Sequence, residues 1–284
     1  MRPGARPARP IVFLTDYGLR DEFVGTCHAV MARIAFAARV IDLTHGIPRG
    51  DVLRGALVLA RSVPYLPPDA VVVAVVDPGV GSPRRAVAVE AGGLALVGPD
   101  NGLLSLAWEA AGGAVRAVEI SREEILLRPL SRTFHGRDVF APAAAHLAAG
   151  RSLGDLGPAL DAGGLVRLEA PSARAEPGRV TCTVTGVDRF GNVQLSATLR
   201  DLGTAGLGER FAFGSHAVPL VGTFAEAPPG GLAALEDSQG FVALIVDGGS
   251  AAAVTGLRPG DPVVLTAAQD GGAEGSGVPG IGPG

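Results

Sequence analysis

From Ile11 onward the chain repeats one pattern: a short apolar run, a turn, then a segment of helix length. IVFL at 11–14 stops at Thr15-Asp16-Tyr17-Gly18, and 22–36 has helical spacing. VIDLT at 40–44 is a second strand, and the next helix opens at Asp51, a natural N-cap, and stops before Pro64. VVVAVV at 71–76 is continuous and β-branched, as expected for a strand covered on both faces. A hairpin-like pair at 86–99, a helix at 103–111 and an Ala-rich helix from His135 to about 149 follow. Strands alternating with helices specify an α/β fold with a mostly parallel sheet, in which ligands sit at the carboxyl ends of the strands.

The texture changes after that. Residues 158–178 are rich in Pro, Ala, Gly and Arg and are expected to be a linker. Beyond them, RVTCTVTGVD, RFAFGSHAVPL, GFVALIVDGG and DPVVLTA are short alternating runs spaced by Gly and Pro, the pattern of a small β-barrel or sandwich. Two domains are therefore expected, at 10–165 and 179–268, with disordered tails at 1–9 and 269–284.

Composition removes whole classes of chemistry. All 24 cationic side chains are Arg, which excludes a lysine Schiff base, a pyridoxal phosphate aldimine and a GxxxxGK[ST] phosphate loop. A formal charge of -4 offers no basic footprint for nucleic acid. Cys27 and Cys182 are far apart and form no CxxC pair, so neither a disulfide framework nor a cysteine zinc site is indicated, and a reducing compartment is. No run of 18 apolar residues and no signal-peptide core occur, so no membrane partner is expected and the cytoplasm is the expected location.

Polar groups collect where strands end: Asp16, Asp77, Asp100 and Asn101, the Thr133–Asp138 segment, and Asp188 with Asn192 in the second domain. DPG and DNG are also ordinary turn sequences. Asp16 has a competing reading as a helix N-cap, and Asp138 reads as a carboxylate at a helix N-terminus. His28, His146 and His216 have no supporting neighbours in sequence, and His45 is ambiguous. Asp16, Asp77, His135 and Asp188 form no recognisable metal-binding spacing, so no metal is expected, and there is no GxSxG elbow for a serine hydrolase.

Six ordered segments carry a resemblance: TDYG (15–18), VVDPGVGSPRR (75–85), GPDNG (98–102), TFHGRDVFAPAAAHLA (133–148), DRFGN (188–192) and DSQGFVALIVDGGSAA (237–252). Together they resemble the S-adenosyl-L-methionine (SAM) hydroxide adenosyltransferases, or SAM hydrolases, relatives of the fluorinases and chlorinases. The resemblance implies a Rossmann-like N-terminal domain, a C-terminal β-barrel and a homotrimer holding substrate between subunits. It implies hydrolysis of SAM, the substrate and not a cofactor, to adenosine and L-methionine by attack at the ribose C5′. It places a catalytic triad on Asp77, Arg84 and His135, ribose recognition on Asp16, and adenine and methionine contacts on Asp188, Asn192, Ser238 and the backbone of Val246 and Gly248. No further cofactor is implied.

In fluorinase-type sequences Tyr stands at the positions of Asp77 and His135, and a halide-binding Ser at that of Gly136. An extra fluorinase loop has no room in the short Glu90–Gly93 link. Asp237-Ser238 stands for the usual Asn-Ser, and Gln239 for a halogenase Arg. Phe190 and Phe224 are candidates to pack on adenine.

The sulfonium leaves readily, so the difficulty lies in making water nucleophilic without a metal. A carboxylate paired with a guanidinium is a weak base, which favours electrostatics and positioning by Arg84 over proton abstraction by Asp77. Two other readings stay open: a halide-dependent SAM lyase making 5′-halo-adenosine, and a non-catalytic adenosine or SAM binder.

Overall fold

The computed structural model describes residues 8–268, and the chain divides into two compact units between Ala170 and Pro171. In the first unit, β1 (Ile11–Thr15), α1 (Phe23–Ile34), β2 (Val40–Thr44), α2 (Val52–Ser62) and β3 (Val71–Val75) alternate. They are followed by β4 (Ala86–Ala91), β5 (Leu94–Pro99), α3 (Ser105–Ala110), β6 (Arg116–Glu119), α4 (Ala141–Ala148) and β7 (Ala159–Leu160). The sheet order is β2-β1-β3-β5-β4-β6-β7. The first four strands run parallel, and β4, β6 and β7 extend the sheet antiparallel.

The apolar runs explain the layering. Alternate side chains of a strand face opposite ways, so Ile11, Phe13, Val71, Val73 and Val75 enter a core shared with α1 and α4. Val12, Leu14, Val72 and Ala74 enter a second core beneath α2 and α3. Both faces of β1 and β3 are buried, so their sequences are continuously apolar. Asp51 caps α2, accepting from the Arg54 N–H at 2.9 Å. The β4–β5 hairpin turns through Gly92 and Gly93, both with φ positive, the two-residue turn that leaves no insertion there.

The second unit contains β8 (Arg174–Glu176), β9 (Arg179–Val187), β10 (Val193–Leu195), α5 (Leu199–Thr204), β11 (Arg210–Phe213), β12 (His216–Pro219), β13 (Leu232–Glu236), β14 (Val242–Val246), α6 (Ala251–Thr255) and β15 (Pro262–Ala267). The order β12-β11-β15-β9-β10-β14-β13 is antiparallel throughout, with β8 beside β9. A bridge from Leu220 to Ala234 brings its two ends together into a nearly closed barrel. Its core comprises inward side chains such as Val180, Cys182, Leu195, Phe211, Leu244 and Leu265.

Segments expected to be irregular carry structure where backbone groups found partners. Within 158–178, β7 pairs with β6 and β8 with β9. The expected tails lie outside the described residues except at positions 8 and 9, where the Arg9 guanidinium donates to the carbonyls of Asp69, Ala70 and Gly93. Both cysteines are buried and free, and burial pushes their thiols up to about 12, so neither is a reactive nucleophile. Among the described residues no helix is long and apolar enough to cross a membrane.

Candidate functional site

The register of the parallel strands builds the site. Thr15 of β1 lies opposite Val75 of β3, so Asp16 and Asp77 leave the sheet at neighbouring points on its carboxyl edge, where an open α/β sheet binds ligands. The third contributor arrives through packing. Thr133 to His135 lead into a wide π-type helical turn at Gly136–Phe140 that continues as α4. Phe140 and the alanines of α4 are buried in the core beneath β1 and β3. A π-turn is often kept where a side chain must be re-aimed, and here it carries His135 to the sheet edge.

Asp16, Tyr17, Asp77, Phe134, His135 and Gly136 help to line a cavity of about 140 Å³. Arg84 stands behind it. Its Nε donates to both carboxylate oxygens of Asp77, at 3.0 and 3.1 Å, and a terminal nitrogen also bonds Asp77 Oδ2. The same nitrogen donates to His135 Nδ1 at 2.9 Å. The side chains of Arg84 and Asp77 are only 11% and 5% exposed, and the guanidinium lies 5.3 Å from the centre of the Phe140 ring, so the pair is largely withdrawn from water.

A guanidinium has no acceptor, so His135 Nδ1 must accept and Nε2 must carry the imidazole proton. Burial, then the nearby Arg84 charge, hold the His135 pKa below its ordinary 6.5. The neutral ring therefore prevails at pH 7. Acid protonates Nδ1 and breaks the bond to Arg84, so catalytic efficiency is expected to be level near neutrality and to fall on an acid limb with its midpoint below 6.5. A midpoint above 6.5 in a pH–rate profile would contradict this arrangement. Stability follows the same sign: with the folded pKa lowered, this group's contribution is present above 6.5 and is lost as pH falls through the folded value.

Asp16 is not a helix cap, because α1 begins seven residues later at Phe23 behind Glu22. Its Oδ2 accepts the Gly50 N–H at 2.8 Å, which fixes the carboxylate at the cavity wall. Asp100 pairs with Arg85 and accepts the Val166 N–H at 2.9 Å. Asn101 donates to the Val76 carbonyl, so both residues of the DNG segment are structural. Asp138, expected as a helix-terminal carboxylate, lies in the first turn of the Gly136–Phe140 segment, where it pairs with Arg137 and accepts the Ser131 N–H, holding the segment before His135.

Sequence reasoning did not single out Tyr17. Its ring packs against Phe23 and Phe134, with centroids 6.0 and 5.9 Å apart, and burial raises its pKa so that it stays a neutral phenol. A Cβ on Gly136 would collide with the Tyr17 hydroxyl. The one available signal was its place beside Asp16 in TDYG.

In the second unit, Asp188 Oδ1 accepts from the N–H groups of Phe190 and Asn192, and Oδ2 accepts from Asn192 Nδ2 at 2.8 Å. Gly191 has φ +85 and no room for a Cβ against Ser250. Asp188 and Asn192 thus shape the turn between β9 and β10. Val193 pairs with Leu244, which brings this turn beside the Val246–Gly248 end of β14. Ser238 lies in the turn before β14, at the other end of that strand. The five residues of β14 separate the two turns. Phe190 is 66% exposed and Phe224 50%. Among the described residues Asp16, Asp77 and His135 do not bring ligand atoms together as a metal ion needs; the ligand atoms of His28, Asp42 and His45 lie within 4.8 Å of one another.

Residues 11–157 match the SAM hydroxide adenosyltransferase N-terminal domain, and 182–264 its C-terminal domain. The chain is 54% identical to the (R)-S-adenosyl-L-methionine hydrolase of Salinispora arenicola, over 90% of this chain and 97% of that one. It is 41% identical to the protein of the same name from Thermus thermophilus, over 90% and 99%. A crystal structure of an uncharacterized conserved protein from Thermotoga maritima superposes with a TM-score of 0.83 at 33% identity, covering 90% of this chain and 99% of that one. The chain belongs to the SAM hydroxide adenosyltransferase family.

Proposed function

We propose that this protein hydrolyses SAM to adenosine and L-methionine, and that it acts on the (R) sulfonium epimer named for its relatives. The observation that carries the reading is Arg84 donating to both Asp77 and His135 beside a cavity that also holds Asp16. Water oxygen attacks C5′, the C5′–S bond breaks with its electron pair going to the methionine sulfur, and one proton is released. Asp77 accepts or orients that proton, and His135 Nε2–H fixes the water. Arg84 is spent on its two partners, so its role is to hold them in register. Asp16 accepts from the ribose hydroxyls. Neutralisation of charge between a hydroxide-like nucleophile and a sulfonium favours a poorly hydrated site. No metal is assigned to the reaction.

The cavity is smaller than the roughly 300–1,000 Å³ of a pocket for a ligand of this size. A homotrimer whose sites are completed across subunits, with Asp188, Asn192, Ser238, Val246 and Gly248 at the adenine and methionine ends, supplies the remainder. The cytoplasm, where SAM is made and used, is the proposed location.

Incubation with each SAM epimer in halide-free buffer, followed by chromatography, is expected to yield adenosine and methionine, faster from the (R) epimer. Product only on addition of chloride or fluoride would favour the lyase reading, and no turnover a binding protein. A monodisperse monomer by light scattering would remove the trimer.

A further inference from the structure

The edge strand β2 carries a second group of chemically matched side chains that the hydrolytic reaction does not use. His28 on α1 places Nε2 2.8 Å from Asp42 Oδ1. His45, just past β2, places Nε2 3.1 Å from the same oxygen. These ligand atoms all lie within 4.8 Å of one another.

The two histidines are held differently. His28 and Asp42 side chains are 35% and 41% exposed, leaving the group open to solvent, whereas that of His45 is 2% exposed. His45 Nδ1 lies 2.8 Å from Thr15 Oγ1, and the buried Phe13 ring packs against both imidazoles, at 6.0 and 4.9 Å between centroids. His45 Nε2 is buried and, despite its closeness to Asp42, has no properly directed hydrogen-bond partner. A buried imidazole nitrogen left in that state calls for an explanation.

We propose that His28, Asp42 and His45 form a binding site for a divalent transition-metal ion such as Zn²⁺ or Co²⁺. Two imidazoles and one carboxylate suit an ion of this class and not Mg²⁺ or Ca²⁺, which take oxygen ligands. Metal–ligand bonds of about 2.0–2.2 Å set adjacent ligands roughly 3.3–3.6 Å apart in a tetrahedral shell, a few tenths of an ångström beyond the 2.8 and 3.1 Å from Asp42 Oδ1 to the two nitrogens, an adjustment within reach of the partly exposed His28 and Asp42 side chains. With His45 Nδ1–H donating to Thr15 Oγ1, the Nε2 lone pair faces the ion, the usual outer-shell support of a histidine ligand.

The site also touches the active-site loop. The His45 carbonyl accepts the Gly18 N–H at 2.8 Å, and Thr15 Oγ1 accepts the Tyr17 N–H at 3.1 Å, so the contacts of His45 bracket Asp16. An ion here stiffens the loop that carries the ribose-binding carboxylate and takes no part in the chemical step.

The test is a titration of untagged, metal-free full-length protein with Zn²⁺ by calorimetry and with Co²⁺ by visible absorption. One equivalent is expected to bind. His28→Ala, a half-buried substitution, is expected to weaken binding at least tenfold and to abolish the rise in Tm that Zn²⁺ produces, while His135→Ala binds as wild type. Histidine side-chain NMR locates the ion without any substitution: Zn²⁺ is expected to shift the His28 and His45 resonances and leave His146 and His216 in place. Absence of saturable binding, equal binding by His28→Ala, or shifts confined to other histidines would overturn the site.

Discussion

Arg84→Ala is expected to lower adenosine formation by roughly 10²–10³-fold, the usual cost of losing a preorganised electrostatic group. The substitution removes every bond that aligns Asp77 with His135. It also leaves Asp77, with a side chain 5% exposed, as a buried charge without its counter-ion, a change that costs about 3–5 kcal/mol of stability. Circular dichroism and denaturant titration separate the two effects: the folded fraction measures the second, and turnover per folded molecule the first. Arg84→Lys retains the charge but not the planar fork, so it should keep more stability than activity. Asp77→Asn keeps the shape and removes the acceptor for a water proton. Near-normal turnover in that variant would sink the base role, and wild-type turnover in Arg84→Ala would sink the triad.

Gly136→Ala is expected to be nearly as damaging from a position with no functional group. Its added carbon meets the Tyr17 hydroxyl, and Tyr17 is pinned by edge-on packing with Phe23 and Phe134, which themselves stack at 5.2 Å. Overpacking of this kind costs about 1–3 kcal/mol, and relief by moving Tyr17 or the π-turn displaces His135 from Arg84. A loss of at least tenfold in kcat/KM is the expected reading. Tyr17→Leu removes the obstructing ring, so in that background Gly136→Ala should cost much less, a coupling visible in a double-mutant cycle. Independent, additive effects would show that the contact does not matter. Gly136→Ser alone faces the same obstruction, so a halogenase-like serine at this position requires a change at Tyr17 as well.

The apolar runs foretold β1 to β5, most sharply β1 and β3, because a strand buried on both faces has nowhere to put a polar side chain. β6 (Arg116–Glu119) went unread since its four residues mix exposed and buried sides beside β4, and β7 is only two residues long. β6 exists because β4 offers backbone groups that must be paired, and β7 because β6 offers the next set, a demand set in each case by the neighbouring strand. The irregular look of 158–178 misled for the same reason.

For the site, the resemblance names Asp77, Arg84 and His135 as a triad and Asp16 as the ribose ligand. The DNG and HGRD segments show the limit of that reading: Asp100, Asn101 and Asp138 stand beside the site in sequence, yet their hydrogen bonds are spent on loops. Asp188 and Asn192 likewise bond to each other. His28 has no supporting neighbour in the linear chain, because its partner Asp42 is met only when α1 lies against the edge strand, whereas His45 stands three residues from Asp42 and is ambiguous in sequence.

By itself, the sequence determined the α/β alternation, a second unit of short strands forming a barrel or a sandwich, and arginine in place of lysine as the cationic side chain available to the reaction. Those follow from hydrophobic period and composition, which are properties of the chain as written. Tertiary structure alone decided that one Arg84 nitrogen would bond both Asp77 and His135, that Tyr17 would forbid a side chain at 136, and that His28 would reach Asp42 beside His45. Each of these depends on strand register and helix packing, which bring side chains within hydrogen-bonding range across tens of residues of chain.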